Sequence, residues 1–169
     1  NKTYFNLGNC SLTKLPDVRN YQLLKDIMLD NNNLSGLQSW EWEYLNAPNV
    51  SSISLTNCSL TKLPTFGKLG DHSFFSKLEE LYLSFNNFSG PQAWRQINAP
   101  KLKTLDLGYC NLTELPKLTE FHKLERLNLR NNNLTYSQIC ELKPLNIEVE
   151  SRFSFDRYKT QTFDFDKCG

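Results

Sequence analysis

Leu102-Lys103-Thr104-Leu105-Asp106-Leu107-Gly108-Tyr109-Cys110-Asn111-Leu112 decides how the rest of the chain is read. The eleven residues spell L-x-x-L-x-L-x-x-[N/C]-x-L. The same pattern returns with its N/C position at Cys10, Asn32, Cys58, Asn86, Cys110 and Asn132. In every copy one residue separates two apolar ones: Phe5/Leu7, Ile27/Leu29, Ile53/Leu55, Leu81/Leu83, Leu105/Leu107 and Leu127/Leu129. Alternation of this kind marks a strand with one buried face. No tight turn follows it. Steps of 22, 26, 28, 24 and 22 residues separate the copies, so consecutive strands are expected to lie parallel, joined by crossovers. A period of this length means a solenoid in which stacked coils bury together what one coil cannot.

The Asn that ends a strand sits where the backbone turns inward. Its amide both donates and accepts, so it can satisfy backbone groups that the turn leaves unpaired. Cys fits the same small slot and donates more weakly. The two alternate strictly. Cys copies continue as Cys10-Ser11-Leu12-Thr13-Lys14-Leu15-Pro16, Cys58-Ser59-Leu60-Thr61-Lys62-Leu63-Pro64 and Cys110-Asn111-Leu112-Thr113-Glu114-Leu115-Pro116. Asn copies lead into Gln38-Ser39-Trp40 and Gln92-Ala93-Trp94, then Asn46-Ala47-Pro48 and Asn98-Ala99-Pro100. A longer unit of about 50 residues therefore repeats two and a half times.

These motifs resemble the leucine-rich repeat family over roughly residues 2 to 135. The Cys/Asn alternation is similar to that of its ribonuclease-inhibitor type, although the steps here are shorter and less even. The Leu-x-x-Leu-Pro run looks more like the short extracellular and bacterial-surface types. The resemblance implies an α/β solenoid: a curved right-handed coil with a parallel sheet of six to seven strands on its concave face. The convex side is expected to be thin, with loops and helical turns rather than full helices. It also implies a non-catalytic module that binds proteins.

Residues 1–150 are read as the solenoid, with Ile147 and Val149 in a degenerate seventh strand, and 151–169 as a C-terminal cap. The alternating pairs Phe153/Phe155 and Phe163/Phe165 suggest that the cap is a β-hairpin or two short strands covering the end of the sheet. An aromatic docking patch is the alternative. The chain opens at Asn1 almost inside its first motif, which suggests a piece of a longer chain or assembly.

Composition narrows the function. A net charge of +1 makes no case for nucleic acid, and no apolar run is long enough to span a bilayer. The sequence has no phosphate-cradling glycine loop, no C-x-x-C, no H-E-x-x-H and no G-x-S-x-G. His72 and His122 lie far apart in separate crossovers. No catalytic residue, metal or cofactor is expected. Trp40 and Trp94 are equivalent positions and read as packing residues, which leaves Trp42 as the candidate exposed aromatic.

Cys10, Cys58 and Cys110 read as buried free thiols, with a spacing too wide for bridging or metal binding. Cys140 takes the place that Trp40 and Trp94 hold in the other long copies. A bridge to Cys168 would staple the cap to the last coil; two free thiols are the alternative. Sequons begin at Asn1, Asn9, Asn33, Asn49, Asn57, Asn87, Asn111 and Asn133. Asn33, Asn49, Asn87, Asn111 and Asn133 are the candidate glycan acceptors; Asn9 and Asn57 carry Cys in the middle, a poor context. The alternative is turn asparagines copied with the repeat.

Residues between and beside the ladder leucines should point away from the core. They vary from coil to coil while the leucines do not. Asp26, Met28, Asp30, Tyr82, Phe85, Asp106 and Tyr109 form the expected patch for a protein partner, with Arg126 and Arg130 at its C-terminal end. An idle face, polar only for solubility, is the alternative. Three functions stay open: a secreted or cell-surface recognition, adhesion or immune-type module; an intracellular scaffold or enzyme inhibitor in the cytoplasm; or a structural component of a larger assembly.

Overall fold

The computed structural model describes residues 3–62, 75–90, 99–118, 121–151 and 162–169. Seven three-residue strands run through it: β1 (Tyr4–Asn6), β2 (Asp26–Met28), β3 (Ser52–Ser54), β4 (Glu80–Tyr82), β5 (Thr104–Asp106), β6 (Arg126–Asn128) and β7 (Glu148–Glu150). They form one sheet in chain order, and every neighbouring pair is parallel. Register keeps the ladder in line, so that Ile53 pairs with Leu81, Leu81 with Leu105, Leu105 with Leu127 and Leu127 with Val149. A slip of one residue would turn every leucine to water, and this fixes the register. Ile53, Leu55, Leu81, Leu83, Leu105, Leu107 and Val149 are fully buried in one continuous core.

A second column, of hydrogen bonds, runs beside the leucines. The Asn86 amide donates to the carbonyls of Leu55 and Leu83, at 2.8 Å each. Its Oδ1 accepts from the backbone N–H groups of Cys58 (3.1 Å) and Leu60 (2.9 Å) in the coil before. Asn32 and Asn132 repeat the arrangement with Cys10/Leu12 and Cys110/Leu112. Cys58 and Cys110 use the slot differently: each thiol donates back to one carbonyl of the preceding coil, Leu29 or Leu83, at 3.2 Å. Cys10 departs from the expectation of a buried thiol. It lies in the first coil, its Sγ reaches only Gly8 O, and it is exposed.

The side opposite the sheet is thin where it is described. Among the described residues it carries 3-10 turns at Ser39–Leu45 and Lys143–Leu145 and one short helix, α1 (Tyr136–Cys140). Thr135 and Gln138 cap α1 reciprocally. The tryptophan assignment is reversed here. At three residues per turn, the 3-10 segment puts Trp42 and Leu45 on its inner side. Trp42 is 5% exposed, while Trp40 is 58% exposed and set edge-on to Tyr44. Trp94 lies outside the described residues.

At the C-terminal end, residues 152–161, and with them the Phe153/Phe155 half of the expected hairpin, lie outside the described residues. Thr162 makes an antiparallel bridge to Glu150, and the Phe163 N–H donates to Val149 O at 2.6 Å. Phe163 is buried, but no strand continues through Phe165. Asp164 Oδ1 accepts from Asp166 N, and the chain turns into a 3-10 segment over Phe165–Lys167. Cys140 and Cys168 are joined by a disulfide, Cα atoms 5.7 Å apart, which ties this end to α1.

Candidate binding face

The outer face of the sheet is built from the residues that alternate with the ladder. The strands bring Asp26, Met28, Tyr82, Asp106 and Arg126 onto it, and Asp30 and Arg130 follow just after β2 and β6. Met28 is 40% exposed, and Tyr82 is half-buried with its hydroxyl donating to Glu80 Oε2 at 3.2 Å. Burial pushes the Tyr82 hydroxyl up, and the neighbouring Glu80 adds to the effect.

Two of the expected contact carboxylates are committed within the sheet. Asp30 Oδ1 accepts from Ser54 Oγ and from Thr56 N (2.8 Å) in the next coil. Asp106 Oδ1 accepts from Gly108 N and Asn128 Nδ2, both at 2.9 Å. Burial raises the Asp106 pKa, against the lowering effect of these donors and of Arg130. Gly108 leaves room for this geometry: a Cβ there would stand 3.0 Å from Asn128 Nδ2 and would press on that side chain. The arginines are committed too: Arg126 faces Glu148 and Arg130 faces Glu150, each pair at 3.5 Å. Such half-exposed pairs contribute little to stability, but they orient both charges.

Phe85 and Tyr109 lie off the strands, in the turn before the ladder residue. Their rings stack in parallel, centroids 4.3 Å apart and planes 10° apart, and they are 53% and 39% exposed. This turn position has positive φ in all six coils, at Asn9, Asn31, Asn57, Phe85, Tyr109 and Asn131. Asn tolerates that conformation, whereas for a bulky side chain it is a strained outlier. The motif contained the signal, since four copies carry Asn where two carry a ring.

Among the candidate glycan acceptors, Asn33, Asn87, Asn111 and Asn133 are exposed. Asn49 is half-buried. Its Nδ2 donates to Gln22 O at 2.7 Å and its Oδ1 accepts from Lys77 Nζ. On the opposite side of the molecule, Tyr44 sits between Trp40 and the Arg19 guanidinium, which is 4.9 Å above its ring. The motif pattern gave no notice of this cluster. Among the described residues no group of His, Cys, Asp and Glu could hold a metal ion. No described helix is long and apolar enough to cross a membrane.

The profile described as Leucine Rich repeats (2 copies) matches residues 100–144, and that described as Leucine Rich Repeat matches residues 77–96. With seven stacked parallel strands and the leucine ladder in register, these matches decide the family. The chain is a leucine-rich repeat protein. It is similar to Receptor-like protein 18 of Arabidopsis thaliana, 27% identical over 152 residues. That similarity covers 77% of this chain and 18% of the relative, so the chain spans under a fifth of the length of the relative it matches. Leucine-rich repeat domains are generally non-catalytic and generally bind proteins, and they occur both outside and inside cells.

Proposed function

We propose that this leucine-rich repeat is a secreted or cell-surface recognition module that binds a protein partner on the outer face of its sheet. One contrast carries the reading. The inward column is leucine, isoleucine or valine in every coil from β2 to β7, while the column between reads Met28, Ser54, Tyr82, Asp106, Asn128, Glu150. A face kept only for solubility has no need of a half-exposed methionine and tyrosine. Met28 and Tyr82 are the apolar contacts. Asp26, Asp30 and Asp106 supply negative charge from fixed positions, Arg126 and Arg130 bound the face at one end, and Phe85 and Tyr109 bound it along the turn edge.

The compartment rests on the Cys140–Cys168 bridge and the exposed sequons Asn33, Asn87, Asn111 and Asn133. Disulfides persist in oxidising compartments, and an intracellular scaffold would keep both thiols reduced. The name of the relative, a receptor-like protein, agrees with a cell-surface role. A second reading has one observation in its favour: Trp40 is the most exposed large apolar side chain described, and it lies on the far side of the coil. Photo-crosslinkers placed singly at Met28, Tyr82 and Trp40, in cells that make the protein, separate the two. Adducts at Met28 and Tyr82 with none at Trp40 support the sheet face. Adducts at Trp40 alone reject it.

A further inference from the structure

We propose that Phe85 and Tyr109 are the seats for the first sugar of glycans carried on Asn87 and Asn111. This rests on the extracellular reading above. The sequons are Asn87-Phe88-Ser89 and Asn111-Leu112-Thr113, and in both the aromatic ring stands two residues before the acceptor. The residue between, Asn86 or Cys110, points into the core, so ring and acceptor flank it on the outside. Two residues span at most about 7 Å, which is within reach of a pyranose attached to the amide.

The rings are held in place. Positive φ at Phe85 (58°) and Tyr109 (57°) turns both out of the strand, and mutual stacking fixes their planes while leaving both open to solvent. The negative face of an aromatic ring attracts the polarised C–H groups on one face of a pyranose. The acceptors are also neighbours, with Asn111 Nδ2 at 3.5 Å from Asn87 Oδ1. Attachment needs a lipid-pyrophosphate-linked oligosaccharide donor. The asparagine nitrogen gives up one proton and bonds to the anomeric carbon of N-acetylglucosamine, and the lipid pyrophosphate leaves with the pair of electrons of the broken C–O bond. The second amide hydrogen of Asn111 remains for the bond to Asn87.

The molecule contains its own control. Asn33 and Asn133 are exposed sequon asparagines at the same place in their coils, and Asn31 and Asn131 stand two residues before them at φ 58° and 52°. They match Asn87 in backbone, each N–H donating to the preceding coil, and have no ring; Asn111 differs in taking positive φ itself. Strained aromatics thus precede two of these four acceptors, and the relaxed residue precedes the other two.

The test is a thermal double-mutant cycle on the full chain, secreted from eukaryotic cells behind a cleavable signal, with glycopeptide mapping of each protein. Phe85→Asn with Tyr109→Asn removes the seats while installing the residue that sister coils carry at this φ, so the fold is retained. Ser89→Ala with Thr113→Ala removes the sugars and keeps both asparagines, one of which, Asn111, stands at positive φ. With the rings present, loss of the sugars should lower Tm by about 2–4 °C, the shift that roughly one favourable contact gives in a domain of this size. With the rings replaced, the same loss should leave Tm unchanged, as should Asn33→Gln with Asn133→Gln in either background. Equal shifts in both backgrounds, or none in either, overturn the seats. Sugar at Asn33 and Asn133 with Asn87 and Asn111 bare overturns this proposal alone. Sugar at none of the four removes the extracellular reading along with it.

Discussion

Asn86 and Cys110 occupy successive rungs of one interior column, and they hold their neighbours in different ways. Asn86 satisfies two backbone N–H groups and two carbonyls, bridging its own coil to the one before. Cys110 offers one weak S–H donor, with Leu83 O at 3.2 Å and Gly108 O at 3.4 Å as its acceptors. The rest of each coil compensates. In Cys coils the residue after the rung also takes positive φ, at Ser11, Ser59 and Asn111. In Asn coils that residue instead donates its N–H to the preceding coil, as Asn33 does to Leu12 O, Asn87 to Leu60 O and Asn133 to Leu112 O. The unit of about 50 residues is therefore a pattern of hydrogen bonding. Each Asn completes the Cys coil before it, and the thiol needs only a carbonyl to lean on.

Removing the larger partner sharpens that contrast most. Asn86→Ala strands the N–H groups of Cys58 and Leu60 and weakens two carbonyl contacts in a dry interior. At about 1–3 kcal/mol for each unsatisfied buried group, the loss should be on the order of 3–5 kcal/mol. Cys58→Ala loses one sulfur and one weak bond, and should cost about 1 kcal/mol. Urea unfolding of both variants beside the native chain measures the difference. Equal losses would mean that the two kinds of rung are energetically alike, and that the alternation has another origin.

The three unpaired thiols break the comparison in a different way. Burial pushes Cys58 up to about 11 and Cys110 up to about 12, so little of either is thiolate near neutrality. Cys10 occupies the equivalent rung but is exposed. At pH 8 an alkylating reagent should modify Cys10 at least about a hundredfold faster than the other two, since only the thiolate reacts. Peptide mapping over a time course reads the three rates. Fast modification of Cys110 in the folded protein would show that the coil junction opens there, and that the thiol does not hold its carbonyl.

Repetition explains which parts of this molecule could be read in advance. Ile27, Leu81 and Leu105 could be assigned inward because six copies set one against another, and a translational stack converts a local pattern into a global register. Asn86 followed from its chemistry in the same way. Trp40 and Trp42 had no such support. Their segment folds as a 3-10 turn whose three-residue period separates buried from exposed, and the motif says nothing about it. The commitments of Asp30 and Asp106 were hidden for another reason. Their partners Ser54, Thr56 and Asn128 stand 22 to 26 residues away, one coil on, and only adjacency in the stack makes them partners. Cys10 was misread as buried: its Sγ reaches Gly8 O within its own coil and stays exposed, which the motif does not distinguish from Cys58 and Cys110.

Asp106 offers the smallest effect, within one class of coil. Asn6 holds the matching place in the first Cys coil, where its Oδ1 accepts from Gly8 N at 3.1 Å. Asp106 makes the same bond to Gly108 N as a carboxylate, at the cost of burying charge. Because burial raises its pKa in the folded state, the native protein binds that proton more tightly than the unfolded chain does. Its contribution is then most favourable in acid. It declines as pH rises from the ordinary aspartate value through the raised one, and is level above that. Asp106→Asn can keep both accepted bonds through Oδ1 and removes the titration. The stability of the variant relative to the native protein should therefore grow between about pH 3 and pH 7, which parallel denaturant melts at the two pH values would resolve. A relative stability that falls over the same interval would mean that Gly108, Asn128 and the Arg130 charge together outweigh burial, and that the carboxylate is held in the sheet as a net stabilising charge.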